Sequence, residues 1–139
     1  DDTRFVDTPS GWFRRNKSDV ESLHIYFGSW NKLRTCEKPL VLSEFGGYTY
    51  PVKGHVFNTE KSYGYKTCKT KKAYREALEK LYYEKVIPAV KKGLCAAIYT
   101  QVSDVEDEIN GLLTYDRKVT KPDTKAMLAI AQELQKAIK

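Results

Sequence analysis

Several absences narrow what this chain does. Cysteine is sparse: Cys36, Cys68 and Cys95 are odd in number and lack the spacing of a metal site. Cys95, inside the apolar run Leu94-Cys-Ala-Ala-Ile98, is expected to be a buried structural thiol. Nothing in this usage requires an oxidising compartment, so reduced thiols and a cytoplasmic location are expected. No apolar run approaches the roughly 20 residues that cross a bilayer, which leaves no membrane-spanning segment. The chain opens Asp1-Asp2-Thr3-Arg4, with neither a secretory leader nor an initiator methionine. It therefore reads as a segment of a longer protein. Internal repeats and low-complexity tracts are also missing.

Other absences remove whole chemistries. The net charge is +6, from 24 basic and 18 acidic residues, but no stacking-aromatic or recognition-helix motif accompanies it. The lysines crowd between Lys66 and Lys92, where a solvated helix face explains them. Nucleic acid is thus not an expected partner. Ser43 lacks the Gly-x-Ser-x-Gly elbow of a serine nucleophile. The acidic run Asp104-Val-Glu-Asp-Glu108 could bind a cation or sugar hydroxyls, yet lacks the Gly-containing spacing of a calcium loop. It reads as a solvated loop or the first turn of a helix. No metal or cofactor is called for.

What is present reads as one α/β domain over residues 1–139, with parallel strands alternating with helices. At 139 residues with 41% hydrophobic and 30% charged side chains, the chain can bury a core. Four strands are predicted: Arg4-Phe-Val6, Ser22 to Phe27, Pro39 to Glu44, and Leu94 to Gln101. The third and fourth are almost continuously apolar, which suggests burial on both faces, as in parallel sheets. In the second, alternation puts Leu23, Ile25 and Phe27 on one face and His24 with Tyr26 on the other.

A helix is predicted from about Lys71 to Lys92, with a stripe of Ala73, Ala77, Leu78, Leu81, Tyr82 and Val86. Pro88 should interrupt its last turn, and Gly93 should stop it. A second helix is predicted after Pro122, with Asp123 as N-cap and Met127, Ile130, Ala131, Leu134 and Ile138 as its stripe. The segment from Tyr48 to Lys69, rich in Gly, Tyr and Lys, reads as an ordered loop over the C-terminal face of the sheet.

Glu44 is the strongest chemical candidate. It ends a buried strand, where a carboxylate costs desolvation energy unless it is paired or used, and Gly46 and Gly47 then turn the backbone away. The alternative is a strand-terminal Glu that simply reaches solvent or a lysine. Tyr26 ends the neighbouring strand. Its phenol either donates a hydrogen bond that keeps the carboxylate ionised and oriented or packs at a sheet edge. His24 points the same way but deeper, as a core histidine or a base.

Four stretches, in order, resemble one family: Ser10-Gly-Trp12, the His-x-Tyr of His24 and Tyr26, Lys38-Pro-Leu-Val-Leu-Ser-Glu-Phe-Gly-Gly47, and Tyr99-Thr-Gln-Val-Ser-Asp104 with Gly111-Leu-Leu-Thr-Tyr-Asp-Arg117. The chain is similar to the C-terminal half of the catalytic barrel of family 2 glycoside hydrolases, the group of β-galactosidases, β-glucuronidases and β-mannosidases. The resemblance implies a half TIM barrel, strands five to eight. It implies a retaining β-glycosidase in which Glu44 is the nucleophile that forms a covalent glycosyl-enzyme, with Tyr26 as its partner. His24, Trp12, Tyr99 and Gln101 would bind the β-glycoside substrate; Tyr99 and Gln101 stand where the family carries a Trp.

The family's acid/base is the Glu of an Asn-Glu pair, and none of Asn16, Asn31, Asn58 or Asn110 precedes Glu. A whole barrel also needs about 250 residues. The fragment alone is therefore expected to be inactive, and the exposed edges of half a barrel favour self-association. The alternative is a non-catalytic carbohydrate-binding or interaction domain on the same scaffold.

Overall fold

The computed structural model describes residues 3–8, 11, 17–28, 30, 33 and 37–138. Its strands are β1 (Glu21–Ile25), β2 (Leu40–Gly46), the two-residue β3 (Tyr48–Thr49) and β4 (Lys66–Thr67), and β5 (Leu94–Thr100). β1, β2 and β5 form a parallel sheet in that order, while β3 and β4 pair with each other, also in parallel. The architecture is mixed α/β, and the three longer strands stand where the apolar runs predicted them.

The first predicted strand, Arg4-Phe-Val6, does not form. Arg4 to Val6 is irregular, and Val6 is tied instead to Asp19: Asp19 N donates to Val6 O at 2.8 Å and Val6 N donates to Asp19 Oδ2 at 2.7 Å. A side-chain carboxylate takes the N–H that a sheet ladder would need, and Phe5 is left in solvent.

The helix predicted from Lys71 is built in three pieces. α1 (Lys71–Leu81) starts at Thr70, whose Oγ1 accepts from Ala73 N at 3.0 Å, which satisfies one of the orphan donors of a first turn. A π-helical turn, Tyr82–Val86, follows, in which Ile87 N reaches back to Tyr82 O, and α2 (Ile87–Val90) completes the run. Pro88 has no N–H to offer the carbonyl four residues earlier, so the spiral widens there rather than continuing as α-helix. Gly93 ends it at φ 103°. The last helix, α3 (Thr124–Ala137), has the predicted cap, with Asp123 Oδ1 accepting from Ala126 N at 2.9 Å.

The core lies between one face of the sheet and these helices. Ile25, Leu40, Leu42, Phe45 and Leu94 meet Leu81, Val86 and Ala89, each large side chain contributing about 1.5–3 kcal/mol by leaving water. A second cluster joins Cys68 to Tyr74, Ala77 and Leu78; Tyr74, absent from the predicted stripe, is fully buried. In α3, Ile130 is buried but Ala131 and Ile138 face solvent.

β5 departs from expectation. Leu94 is buried, but Cys95 through Ile98 are exposed, because β5 is the edge of the sheet rather than an interior strand. Cys95 is moreover the extra residue where Leu40 pairs with Leu94 and Val41 with Ala96. The buried thiol is Cys68 instead, its pKa pushed up by burial. Cys95 should therefore react with iodoacetamide well before Cys68, since the thiolate is the nucleophile; peptide mapping of a time course that found Cys68 modified first would contradict this placement.

Candidate functional site

The site is built by an irregularity in β2. Leu23 pairs with Leu42, but the next pair is His24 with Glu44, so Ser43 is unmatched; against β5 the extra residue falls in the same place, between Leu42 and Phe45. In a regular strand, residues two apart share a face, so Leu42 and Glu44 would point the same way. The bulge reverses the alternation once. Leu42 and Phe45 both enter the core, and Glu44 is turned to the opposite face. Ser43 is accommodated by its neighbours, with its Oγ 2.6 Å from Ser22 Oγ.

Glu44 then meets residues from both flanking strands. The Tyr26 hydroxyl donates to Oε2 of Glu44 and lies 3.1 Å from Thr100 Oγ1. His24 Nδ1 is 3.4 Å from the same Oε2; its side chain is 2% exposed, that of Glu44 40%. Gly11 lies directly against the His24 ring. Burial, and then the hydrogen bond to Glu44, push the Tyr26 phenol far above its ordinary pKa, so it remains a protonated donor. Glu44, Tyr26, His24 and Thr100 therefore converge at the C-terminal ends of three adjacent parallel strands.

The loop after β2 closes over this group as the sequence suggests. Tyr65 stacks on Tyr26, with ring centroids 3.6 Å apart and planes at 12°, and its backbone N donates to Gly47 O at 3.0 Å. Gly46 and Gly47 both have positive φ, 84° and 62°. A side chain at Gly47 would strike the rings of Tyr65 and Tyr26, and one at Gly46 the ring of Tyr99. Glycine serves here both for the turn and for close approach.

The remaining predicted residues separate. Tyr99 lies on the core side, edge-on to Phe45 at 5.6 Å, and its hydroxyl accepts from Tyr48 N at 3.2 Å. Gln101, joined to Thr100 by a cis peptide, donates through Nε2 to Asn110 Oδ1 at 3.0 Å; Asn110 Nδ2 in turn donates to Glu108 Oε1 at 2.9 Å. Trp12 lies outside the described residues. Thr100 and Tyr65 were not singled out from the sequence; Thr100 is the polar end of an apolar strand, the one signal that pointed to it. Among the described residues, no group of three His, Cys, Asp or Glu side chains is placed to hold a metal ion, and no helix is long and apolar enough to cross a membrane.

The covering loop is also latched at its far end. His55 Nδ1 donates to Asp116 Oδ2 at 2.8 Å, and Asp116 Oδ1 accepts from Thr114 Oγ1 at 2.7 Å. The Thr114 hydroxyl, and then His55, hold the Asp116 carboxyl well below the usual carboxylate range. A depressed folded pKa means that the open form takes up the proton first, so the latch is fully present above about pH 4 and weakens as pH falls below it. Protection of the amides over residues 53–58, taken relative to their intrinsic exchange rates at each pH, should fall in acid, and Asp116→Asn should lower that protection already at neutral pH. Equal protection in the variant and the parent would remove the latch.

No protein-family profile matches the chain, and no curated protein matches it.

Proposed function

We propose that the chain is part of a retaining β-glycosidase of the family 2 type, with Glu44 as nucleophile and Tyr26 as its positioning partner. The observation that carries this reading is the Tyr26–Glu44 hydrogen bond at the C-terminal ends of adjacent parallel strands, the end at which α/β barrels present their catalytic groups. β1, β2 and β5 then stand as strands six, seven and eight of a barrel. The bare edge of β5, where Ile98 is 57% exposed, supports a barrel open at this strand, since closure requires a further strand beside it.

The proposed chemistry makes use of this geometry. Tyr26 holds Oε2, and Glu44 attacks the anomeric carbon. The bond from that carbon to the leaving oxygen breaks as the bond to the carboxylate forms. An ordinary alcohol leaving group needs a proton from a second carboxylic acid about 5–5.5 Å away, which later activates water. A dinitrophenolate leaves without a proton. A 2-deoxy-2-fluoro β-glycoside of dinitrophenol should therefore label Glu44 in this chain and remain attached, and peptide mass mapping locates the adduct. Labelling elsewhere, or none, would count against the nucleophile. Saccharide binding without any adduct would favour the carbohydrate-binding reading, which the exposed rings of Phe27 and Tyr63 support.

A further inference from the structure

We infer that Phe27, Tyr63, Tyr65 and Glu108 form a second sugar subsite beside Glu44, one that holds the neighbouring pyranose of a β-linked oligosaccharide. The inference rests on the glycosidase reading for the role of Glu44, but the cluster is argued from its own geometry. Phe27 and Tyr63 are 69% and 55% exposed, and both stand edge-on to Tyr65, with centroids at 5.6 and 5.7 Å. Three adjoining rings kept partly in water forgo the burial that folding would otherwise supply.

The rings are also held in place. Tyr65 is fixed on Tyr26, the residue that carries Glu44. Tyr63 N donates to Asp107 O at 2.7 Å and Ile109 N donates to Tyr63 O at 3.0 Å, a parallel bridge that pairs Tyr63 with Glu108. Such pairing brings the two residues side by side. Burial raises the Tyr65 phenol pKa most, and the charge of Glu108 is near enough to add to it.

Glu108 is oriented from behind. Asn110, fully buried, donates to its Oε1 and is itself held by Gln101. A carboxylate has about four acceptor positions, so one bond from Asn110 leaves capacity for ligand hydroxyls. Rigid ring faces with a carboxylate at their margin suit a pyranose, which has an apolar C–H face and a rim of hydroxyl donors. Anions are disfavoured by Glu108. The remaining competitor is a quaternary ammonium, which rings and a carboxylate also accept.

The test is titration of the full chain, followed by NMR, with lactose and cellobiose against methyl β-galactoside and methyl β-glucoside, and with choline as competitor. A disaccharide should bind roughly tenfold more tightly than its methyl monosaccharide. Phe27→Ala and Glu108→Gln should erase that gain without weakening the monosaccharide. Phe27 is surface-exposed, so its variant should keep the parent spectrum. Unchanged disaccharide affinity in both variants, no saccharide binding, or preference for choline would each overturn the subsite. Labelling of Glu44 by the fluoroglycoside is read separately, so loss of the nucleophile and loss of the subsite are distinguishable.

Discussion

Glu44→Gln should abolish the fluoroglycoside adduct, and Tyr26→Phe should slow its formation by roughly ten- to 150-fold. The second figure follows from one hydrogen bond. A bond to a charged acceptor contributes about 1.5–3 kcal/mol, and about 1.4 kcal/mol is a factor of ten in rate. Phenylalanine keeps the ring that stacks on Tyr65, so the variant removes the hydroxyl and leaves the loop contact. The burst of dinitrophenolate gives the rate, and circular dichroism checks the fold. Tyr26→Phe labelling at the parent rate would reduce the Tyr26 contact to packing. An adduct persisting in Glu44→Gln would move the nucleophile elsewhere.

Lys121→Met should destabilise the chain by about 3–5 kcal/mol, read as a shift in urea midpoint. Lys121 and Asp104 are buried to 0% and 1% side-chain exposure, with Nζ 2.6 Å from Oδ1. Lys121 also donates to Ile109 O at 3.0 Å, and Asp104 accepts from Gly111 N at 2.8 Å. Burial pushes the Asp104 carboxyl up and the Lys121 ammonium down, each opposed by the other's charge. Removing the lysine strands a carboxylate in the interior. Asp104→Leu with Lys121→Met should recover part of the loss, because the one carboxylate stranded by the single variant is removed as well. Recovery stays incomplete, since Gly111 N and Ile109 O lose their partners. A Lys121→Met midpoint equal to the parent's would show the pair to be dispensable.

Glu44 and the Asp104–Lys121 pair differ in how far the sequence reveals them. Glu44 was legible because its surroundings are local: an apolar run, an acid, then two glycines. The Asp104–Lys121 pair was not. Asp104 read as part of a solvated acidic run, and Lys121 is one of 24 basic residues; nothing in the chain near either marks it as buried. Their pairing spans 17 positions and forms only when the loop after β5 folds back on itself. The thiols divide the same way. Cys95 sits in an apolar run that turned out to be a sheet edge, while Cys68, among lysines and threonines, is carried inward by its contact with α1.

By itself, the sequence determined where the helices start and stop and where the chain turns after Glu44. Asp123 caps α3, Pro88 and Gly93 shape and stop the long helix, and Gly46 and Gly47 turn the chain after Glu44, each through the conformational limits of one or two residues. Tertiary structure alone decided which way side chains face. Strict alternation would put Leu42 and Glu44 on one face, and only pairing with β1 and β5 leaves Ser43 unmatched and separates them. Register belongs to two chains of hydrogen bonds, not to either strand alone, and one unpaired residue was enough to turn a carboxylate out of the core and toward Tyr26.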